Sequence, residues 1–398
     1  MNTLFPYLGF LLLPVAAASG WWLAKRGEES VHERTNHLSS SYFQGLNFLV
    51  NQEQERAIDL FSRLLEEEPE MVETHLALGT LFRRQGDTSQ AIQLHSNLVK
   101  SEMLTGEQRA LALLELGRDY MKAGLLDRAE RPFLDLLELE LHQQDAYSYL
   151  VIIYQQEKEW DRAIETLRRQ LRSGQQSPVN EANSRATIAQ FLCEKAEIAR
   201  FSSDLKEASH LVDQALREDP NSVRATIIRA EIYATTGRKQ LAIESYKSIE
   251  RQSASYIPNV IKPLLSLYRE EGKPDEVLSY LSALLEAHPS TTVLLATVDQ
   301  VQLMHGGRKA EQYLVQQLKQ RPSVRGLEQL IKLNLTHAEA PDARDGLLGL
   351  QALTLQLQEE KPEYQCGQCG FQAHHLHWQC PGCNRWNTIK PIVGVSGE

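Results

Sequence analysis

Apolar and polar positions alternate with helical spacing through residues 113–141, and the pattern predicts two helices joined by a turn. One face of the first helix is apolar: Leu113, Leu116, Gly117 and Tyr120. The second helix carries a facing stripe: Ala129, Phe133 and Leu136. Gly124 lies between them, where a residue without a Cβ atom can adopt the left-handed conformation that ends a helix. The small residues Gly117 and Ala129 therefore allow a close approach of the two helices.

This pattern recurs along the chain. The small residue of the second helix is found at eight positions: Ala57, Ala91, Ala129, Ala163, Ala208, Ala242, Val277 and Ala310. Their separations are 34, 38, 34, 45, 34, 35 and 33 residues. Glycines recur at two further positions of the repeat. One position is the close contact between the two helices (Gly45, Gly79, Gly117), and the other is the turn that joins them (Gly86, Gly124, Gly237, Gly272). A period near 34 residues resembles the tetratricopeptide repeat, and it predicts an all-α superhelical solenoid.

The repeats set the expected domain boundaries. We expect about eight repeats over residues 42–335, followed by a capping helix and linker over residues 336–361. The 45-residue step predicts a break near residues 173–185, either a loop or a longer helix, which could divide the array into two arcs. The helical segments 323–335 and 343–358 lack the small residue, as expected of a capping pair.

The chain begins with an apolar segment. Residues 4–24 contain no charged side chain, and a helix of that length spans about 31 Å, close to the thickness of a bilayer core. Trp21 and Trp22 suit the membrane interface, and Lys25 and Arg26 follow at once. We predict a transmembrane anchor over residues 1–24, a tether over residues 25–41, and a cytoplasmic location for the rest. A cleavable signal peptide is the alternative, although no Lys or Arg precedes the apolar run.

The charge and the cysteine content restrict which classes of function the protein can have. The chain has 42 basic and 52 acidic residues, a net charge of −10, which argues against nucleic acid as the main partner. Cys193 lies in a helical segment, where we expect it to pack in the core. No group of residues has the composition of a catalytic site, so we expect a protein that is not an enzyme.

The other four cysteines form two Cys-x-x-Cys pairs in the last part of the chain, residues 362–398: Cys366, Cys369, Cys380 and Cys383. Two such turns facing each other give the tetrahedral sulfur shell that zinc or a single iron favours. A redox dithiol pair is the alternative. We expect His374, His375 and His377 not to bind the metal, because four thiolates complete the shell. We expect Trp378 and Trp386 to pack this module onto the last helices.

An apolar start, a repeat array and a four-cysteine end occur here in the order typical of one family. The chain resembles the lipopolysaccharide assembly protein B family over essentially its whole length. The residues that carry the resemblance are the Leu-Leu-Leu-Pro-Val-Ala-Ala-Ala run at 11–18, Gly-Arg-Asp-Tyr-Met at 117–121, Cys-Pro-x-Cys-x-x-Trp at 380–386 and Thr-Ile-Lys-Pro-Ile at 388–392. In that family the C-terminal module is called rubredoxin-like. Asn384 stands where rubredoxin itself typically has glycine, which weakens an electron-transfer role.

The resemblance implies a function. Members of the family are cytoplasm-facing inner-membrane proteins of Gram-negative bacteria. The chain would be a non-enzymatic adaptor that helps a membrane-bound AAA+ protease (FtsH) degrade the deacetylase that commits precursor to lipid A (LpxC). It would also gather other inner-membrane lipopolysaccharide regulators and assembly proteins, and a homo-oligomer is left open. Two alternatives remain: a one-electron carrier, and a general scaffold for envelope biogenesis.

Family geometry also suggests a partner surface. In a tetratricopeptide solenoid the first helices line the concave side. Five residues are expected near that side: Arg83, Arg84, Arg118, Met121 and Lys122. Their positive charges could bind an acidic partner or form a solvated face, and the sequence leaves both possibilities open.

Overall fold

A computed structural model describes residues 41–174, 176–336, 340–359, 361–395 and 397–398. The chain divides into two compact units, unit 1 ending at Glu159 and unit 2 covering Trp160–Glu398. None of the helices within the described ranges combines the length and the apolar character needed to cross a bilayer. The expected anchor over residues 1–24 and nearly all of the tether lie outside those ranges.

Unit 1 is built from helices connected by short turns. Residues 41–50 are helical (α1). The helices that follow are α2 (Gln54–Glu67), α3 (Val72–Gln85), α4 (Thr88–Val99), α5 (Gly106–Lys122), α6 (Leu126–Glu138) and α7 (Gln143–Gln156). Odd-numbered helices are the first and even-numbered helices the second of each pair. We call α3, α5 and α7 the unit-1 row.

Unit 2 continues the same alternation and ends in a small sheet. Its helices are α8 (Trp160–Arg172), α9 (Pro178–Phe201), α10 (Leu205–Glu218), α11 (Val223–Thr235), α12 (Lys239–Gln252), α13 (Ile257–Glu271), α14 (Pro274–Ala287), α15 (Thr291–His305), α16 (Gly307–Gln320), α17 (Val324–Leu335) and α18 (Pro341–Glu359). A 3-10 turn, Ala254–Tyr256, precedes α13. The strands are β1 (Tyr364–Cys366), β2 (Gln372–Ala373) and β3 (Ile389–Pro391). We call α9, α11, α13, α15 and α17 the unit-2 row.

The predicted small positions are where the helices pack. All eight are buried, seven of them completely and Val277 at 3% exposure. On the facing helix, a Cβ atom added to Gly117 would lie 2.5 Å from the Phe133 ring, and one added to Gly45 would lie 2.5 Å from Phe61. At Gly79 the opposing ring belongs to His95. Glycine is therefore required on these first helices by a ring that packs against their backbone.

The turns keep one backbone conformation even where glycine is missing. Gly124 has φ +75°, as expected for a left-handed helix end. Lys158 and Ser203 occupy the same position relative to the small residue of their repeats, and both also have positive φ, +58° and +62°. The 45-residue step corresponds to α9, which is 24 residues long. The division between the two compact units falls at residues 159/160, ahead of the break predicted near residues 173–185.

Candidate metal centre

A three-stranded sheet presents the cysteines. Its order is β2-β1-β3, and both pairings are antiparallel. Cys366 ends β1 opposite Ile389 of β3. The turn from Cys366 to Cys369 connects β1 to β2, and the turn from Cys380 to Cys383 precedes β3. The two Cys-x-x-Cys turns thus face each other.

The four sulfur atoms converge. All four Sγ atoms lie within 4.8 Å of one another, with Cys366 and Cys383 3.8 Å apart and Cys369 and Cys380 3.6 Å apart. A tetrahedral shell with metal–sulfur bonds of about 2.3 Å needs sulfur–sulfur separations of about 3.8 Å. The cluster therefore fits one zinc or iron ion. Thiolates of this kind would hold the ion tightly and, with zinc, would supply structural cross-linking without redox chemistry.

The backbone of each turn is adapted to this role. Gly370 and Asn384 close the two turns with φ +76° and +56°, and their amides donate to the carbonyls of Cys366 and Cys380. Asparagine tolerates the left-handed region better than most side chains, so Asn384 can stand where rubredoxin typically has glycine. A Cβ atom at Gly382 would lie 3.3 Å from the Cys369 sulfur. A side chain there would press on the metal shell.

The sulfurs differ in environment. Cys366 and Cys380 are buried, Cys369 is exposed and Cys383 is intermediate. The amide of Gln368 donates to Cys366 Sγ at 3.4 Å, and the Thr388 hydroxyl lies 3.3 Å from the same atom. These hydrogen bonds, that of Thr388 first, lower the pKa of the Cys366 thiol to about 6. At Cys366 the thiolate form that binds a metal is therefore favoured at neutral pH.

The neighbouring histidines lie outside the cluster. His374, His375 and His377 are exposed, and within the described residues the group of possible metal ligands contains only the four cysteines. Cys193 is completely buried, and burial raises the pKa of its thiol to about 12. The expectation that Cys193 packs in the core is confirmed.

The tryptophans of the module contact a part of the array that sequence reasoning did not identify. We expected them to pack onto the last helices, and this was wrong. The Trp386 ring lies 6.0 Å from that of Phe191 on α9, and the Trp378 ring lies 5.4 Å from that of Tyr256. The Arg224 guanidinium on α11 lies over both indoles, at 6.0 and 5.9 Å. The module therefore lies on the unit-2 row.

Hydrogen bonds fix the same contact. The hydroxyl of Tyr256 donates to the carbonyl of Ile389 at 3.2 Å, and the amide of Asn259 donates to the Tyr364 hydroxyl at 2.8 Å. Arg224 is also paired with Glu194 at 2.8 Å, with only 7% of the arginine side chain exposed. Spacing alone could not predict the contacts of Tyr256 and Asn259 with the module, because they join residues more than 100 positions apart.

The predicted partner residues lie on the unit-1 row in two different states. Arg83 of α3 pairs with Glu115 at 2.5 Å and with Asp119 at 2.7 Å, both on α5. Arg118 pairs with Glu115 at 2.7 Å and donates to the Tyr149 hydroxyl at 3.0 Å. Burial raises the pKa of Glu115, but the charges of Arg83 and Arg118 outweigh burial and lower it.

The remaining predicted partner residues are more open. Arg84 and Lys122 are exposed and Met121 is partly buried. Their side chains can reach solvent while Arg83 and Arg118 are held by carboxylates.

One residue of this network had not been singled out. His95 is completely buried, and its Nδ1 atom lies 2.5 Å from an oxygen of Asp119, which is also completely buried. His95 takes the place that Phe61 and Phe133 hold in the neighbouring repeats, against the glycine of the first helix. A histidine at a position that phenylalanine occupies in the repeats before and after it was the available signal. Its carboxylate partner is 24 residues away.

Comparison with known proteins agrees with both parts of the fold. A family model described as a rubredoxin metal binding domain matches residues 364–391. A tetratricopeptide repeat model matches residues 44–96, 114–178 and 193–257. Among solved structures, the C-terminal part of a TPR repeat-containing protein from Cytophaga hutchinsonii is 13% identical, covering 68% of this chain and 98% of that one, with a TM-score of 0.38.

Two curated relatives match nearly the full length. Lipopolysaccharide assembly protein B of Escherichia coli K12 is 36% identical over 389 residues, which covers 98% of each chain. Lipopolysaccharide assembly protein B of Haemophilus influenzae is 29% identical, covering 96% of this chain and 97% of that one. The chain therefore belongs to the lipopolysaccharide assembly protein B family.

Proposed function

We propose that the protein is an inner-membrane-anchored, cytoplasm-facing adaptor in lipopolysaccharide assembly. In this role it holds an FtsH-type protease and an LpxC-type deacetylase together, so that the deacetylase is degraded, and it also gathers other inner-membrane assembly proteins. The observation that carries the proposal is the repeat array itself, in a chain whose relatives are named for lipopolysaccharide assembly. Repeat solenoids act by presenting extended surfaces to other proteins.

The unit-1 row has features suited to a protein partner. A network of ion pairs fixes the side chains of the neighbouring first helices α3 and α5 relative to one another. Its members are Arg83, Glu115, Arg118 and Asp119. Arg84 and Lys122 are exposed beside it and supply positive charge, and Met121 supplies a small apolar contact. An acidic segment of a partner protein would find exposed positive charge at Arg84 and Lys122, next to side chains that are already held in place by the network.

The metal module supports this role as a structural part. The module has only a small core around Cys366, Cys380 and Ile389, too small to hold the fold by itself, so metal binding supplies much of its folding energy. Its two tryptophans then contact Arg224 of α11, and this contact fixes the module on the unit-2 row. The module contributes a rigid surface to the adaptor and needs no turnover chemistry.

The half-life of the deacetylase in cells tests the proposal. Double charge reversal, Arg84→Glu with Lys122→Glu, is expected to lengthen the half-life several-fold, because like charges repel the acidic partner. Arg63→Glu with Arg128→Glu, at exposed arginines on the second helices α2 and α6, is the control with the same change of charge and should leave the half-life unchanged. An unchanged half-life in the first variant would reject this surface, and an unchanged half-life on depletion of the whole protein would reject the mechanism.

A one-electron carrier is the second candidate. The exposed Cys369 sulfur and the rubredoxin description of the module favour it. Protein purified with iron would then be red and reversibly reducible. Colourless protein with one tightly held zinc would remove this candidate and leave the adaptor.

A further inference from the structure

The first turns of α15 and α17 hold a carboxylate from the metal module. The Ser290 hydroxyl donates to one oxygen of the Glu398 side chain at 2.7 Å, and the Thr292 amide donates to the same oxygen at 3.0 Å. The Thr292 hydroxyl lies 2.5 Å from the other oxygen, and Arg325 pairs with that oxygen at 2.7 Å. Two helices of the unit-2 row thus bind one side chain.

This arrangement has the chemistry of an anion site. The first turn of a helix carries amide groups without helical partners and the positive end of the helix dipole. Here the amide of Thr292 is such a group, and Arg325 adds a full charge. The Glu398 side chain is only 14% exposed. Burial raises its pKa, but the hydrogen bonds from Thr292 and Ser290 and the charge of Arg325 outweigh burial and lower it, so the group is ionised at neutral pH.

The backbone of the segment that carries Glu398 also contacts the N-terminus of α17. The Val324 amide, in the first turn of α17, donates to the Val395 carbonyl at 2.9 Å. The Glu398 amide donates to the carbonyl of Ile392 at 2.8 Å, so Glu398 lies beside the residue that directly follows β3. Since β3 pairs with the strand that ends at Cys366, the carboxylate is connected to the metal ligands through a short, hydrogen-bonded path.

We propose that the first turns of α15 and α17, with Arg325, form a carboxylate-binding site whose ligand is Glu398, and that filling this site is coupled to retention of the metal by the four cysteines. The physical reason is linkage. The metal stabilises the folded module, and the carboxylate site binds the folded module, so each event strengthens the other by the same free energy.

The test uses the full chain loaded with one zinc ion and measures its release to a chelating dye. Glu398→Gln keeps the shape of the side chain and removes the charge. We expect zinc release about tenfold faster, since a charge-assisted hydrogen-bond network is lost. Glu363→Gln is the control, because Glu363 is an exposed glutamate of the same module. Its release rate should equal that of the unaltered protein.

Two further measurements separate coupling from simple loss of folding. Arg325→Gln, on the array side, should speed release in the same direction, and the double variant should be no faster than the faster single variant. Amide exchange at Thr292 and Val324 should rise in Glu398→Gln while exchange in the middle of α15 stays unchanged. Zinc release at the unaltered rate in Glu398→Gln, or equal acceleration in Glu363→Gln, would overturn the proposal.

Discussion

The unit-1 row and the unit-2 row place different side chains on the same alternating arrangement of helices. In unit 1 the charged groups of α3 and α5 bind one another, as in the pairs of Arg83 with Glu115 and Asp119. In unit 2, five successive first helices each contribute a contact to the metal module: Phe191, Arg224, Asn259, Thr292 and Arg325. The repeat therefore fixes the backbone, whereas the residues outside the repeat pattern decide what each row binds.

This difference assigns separate tasks to the two rows. The unit-2 row is occupied by a segment of its own chain, through rings, amides and a carboxylate. The unit-1 row carries an internally neutralised network beside the exposed Arg84 and Lys122. Changes that remove one set of contacts should therefore affect one row and leave the other intact.

The largest expected effect comes from removing metal ligands. Cys380→Ser with Cys383→Ser should abolish stoichiometric metal binding, because structural zinc of this kind contributes about 10–16 kcal/mol of apparent binding free energy. Metal analysis and limited proteolysis are the measurements, and cleavage should concentrate after residue 361. Cys193→Ala, which removes a thiol from the core, should keep one metal per chain. Normal protease resistance in the double serine variant would contradict a structural site.

Overpacking of the unit-1 helices should have the next largest effect. Gly117→Ala places a Cβ atom 2.5 Å from the Phe133 ring. Strain of this kind typically costs about 1–3 kcal/mol of unfolding free energy. Gly106→Ala on the same helix is the control, because nothing lies within 4 Å of its added Cβ atom. Urea denaturation followed by circular dichroism should show a lower midpoint for Gly117→Ala alone.

Loss of Arg224 should loosen the module on the unit-2 row. Arg224→Gln removes the cation from both indoles and leaves Glu194 without its partner, and we expect about 1–2 kcal/mol less stability for the docked module. Tryptophan emission should shift to longer wavelength as Trp378 and Trp386 meet water. Arg217→Gln, an exposed arginine on α10, should leave the spectrum unchanged. An identical spectrum in both variants would argue against the contact.

The smallest effect should be shared by the two units. Lys158→Gly in unit 1 and Ser203→Gly in unit 2 relieve a left-handed backbone, and each should raise the unfolding free energy by about 0.5 kcal/mol. Thermal denaturation measures the change. Glu157→Gly is the control, since φ of Glu157 is −80° and glycine there should only lower stability. A stabilising effect in one unit alone would mean that the turns are not equivalent.

Local sequence patterns predicted the repeat and the cysteine cluster. They could not predict contacts between residues that are far apart in the sequence. Gly117 and Phe133 recur in phase with similar pairs in neighbouring repeats, and Cys366 to Cys383 have metal-ligand spacing. The contact of Tyr256 with Ile389 joins residues 133 positions apart and has no periodic signature. The same holds for Arg224 between the two indoles, so the docking of the module could not be placed from the sequence.

Site-specific crosslinking in living cells tests the division of tasks most directly. A photoreactive residue at Lys122, on the unit-1 row, is compared with one at Arg128, an exposed position on the second helix α6. The division of tasks predicts adducts with the protease or the deacetylase from position 122 and none from position 128. Equal adducts from both positions would contradict it. The absence of adducts from position 122, when sites elsewhere on the chain capture these partners, would contradict it as well.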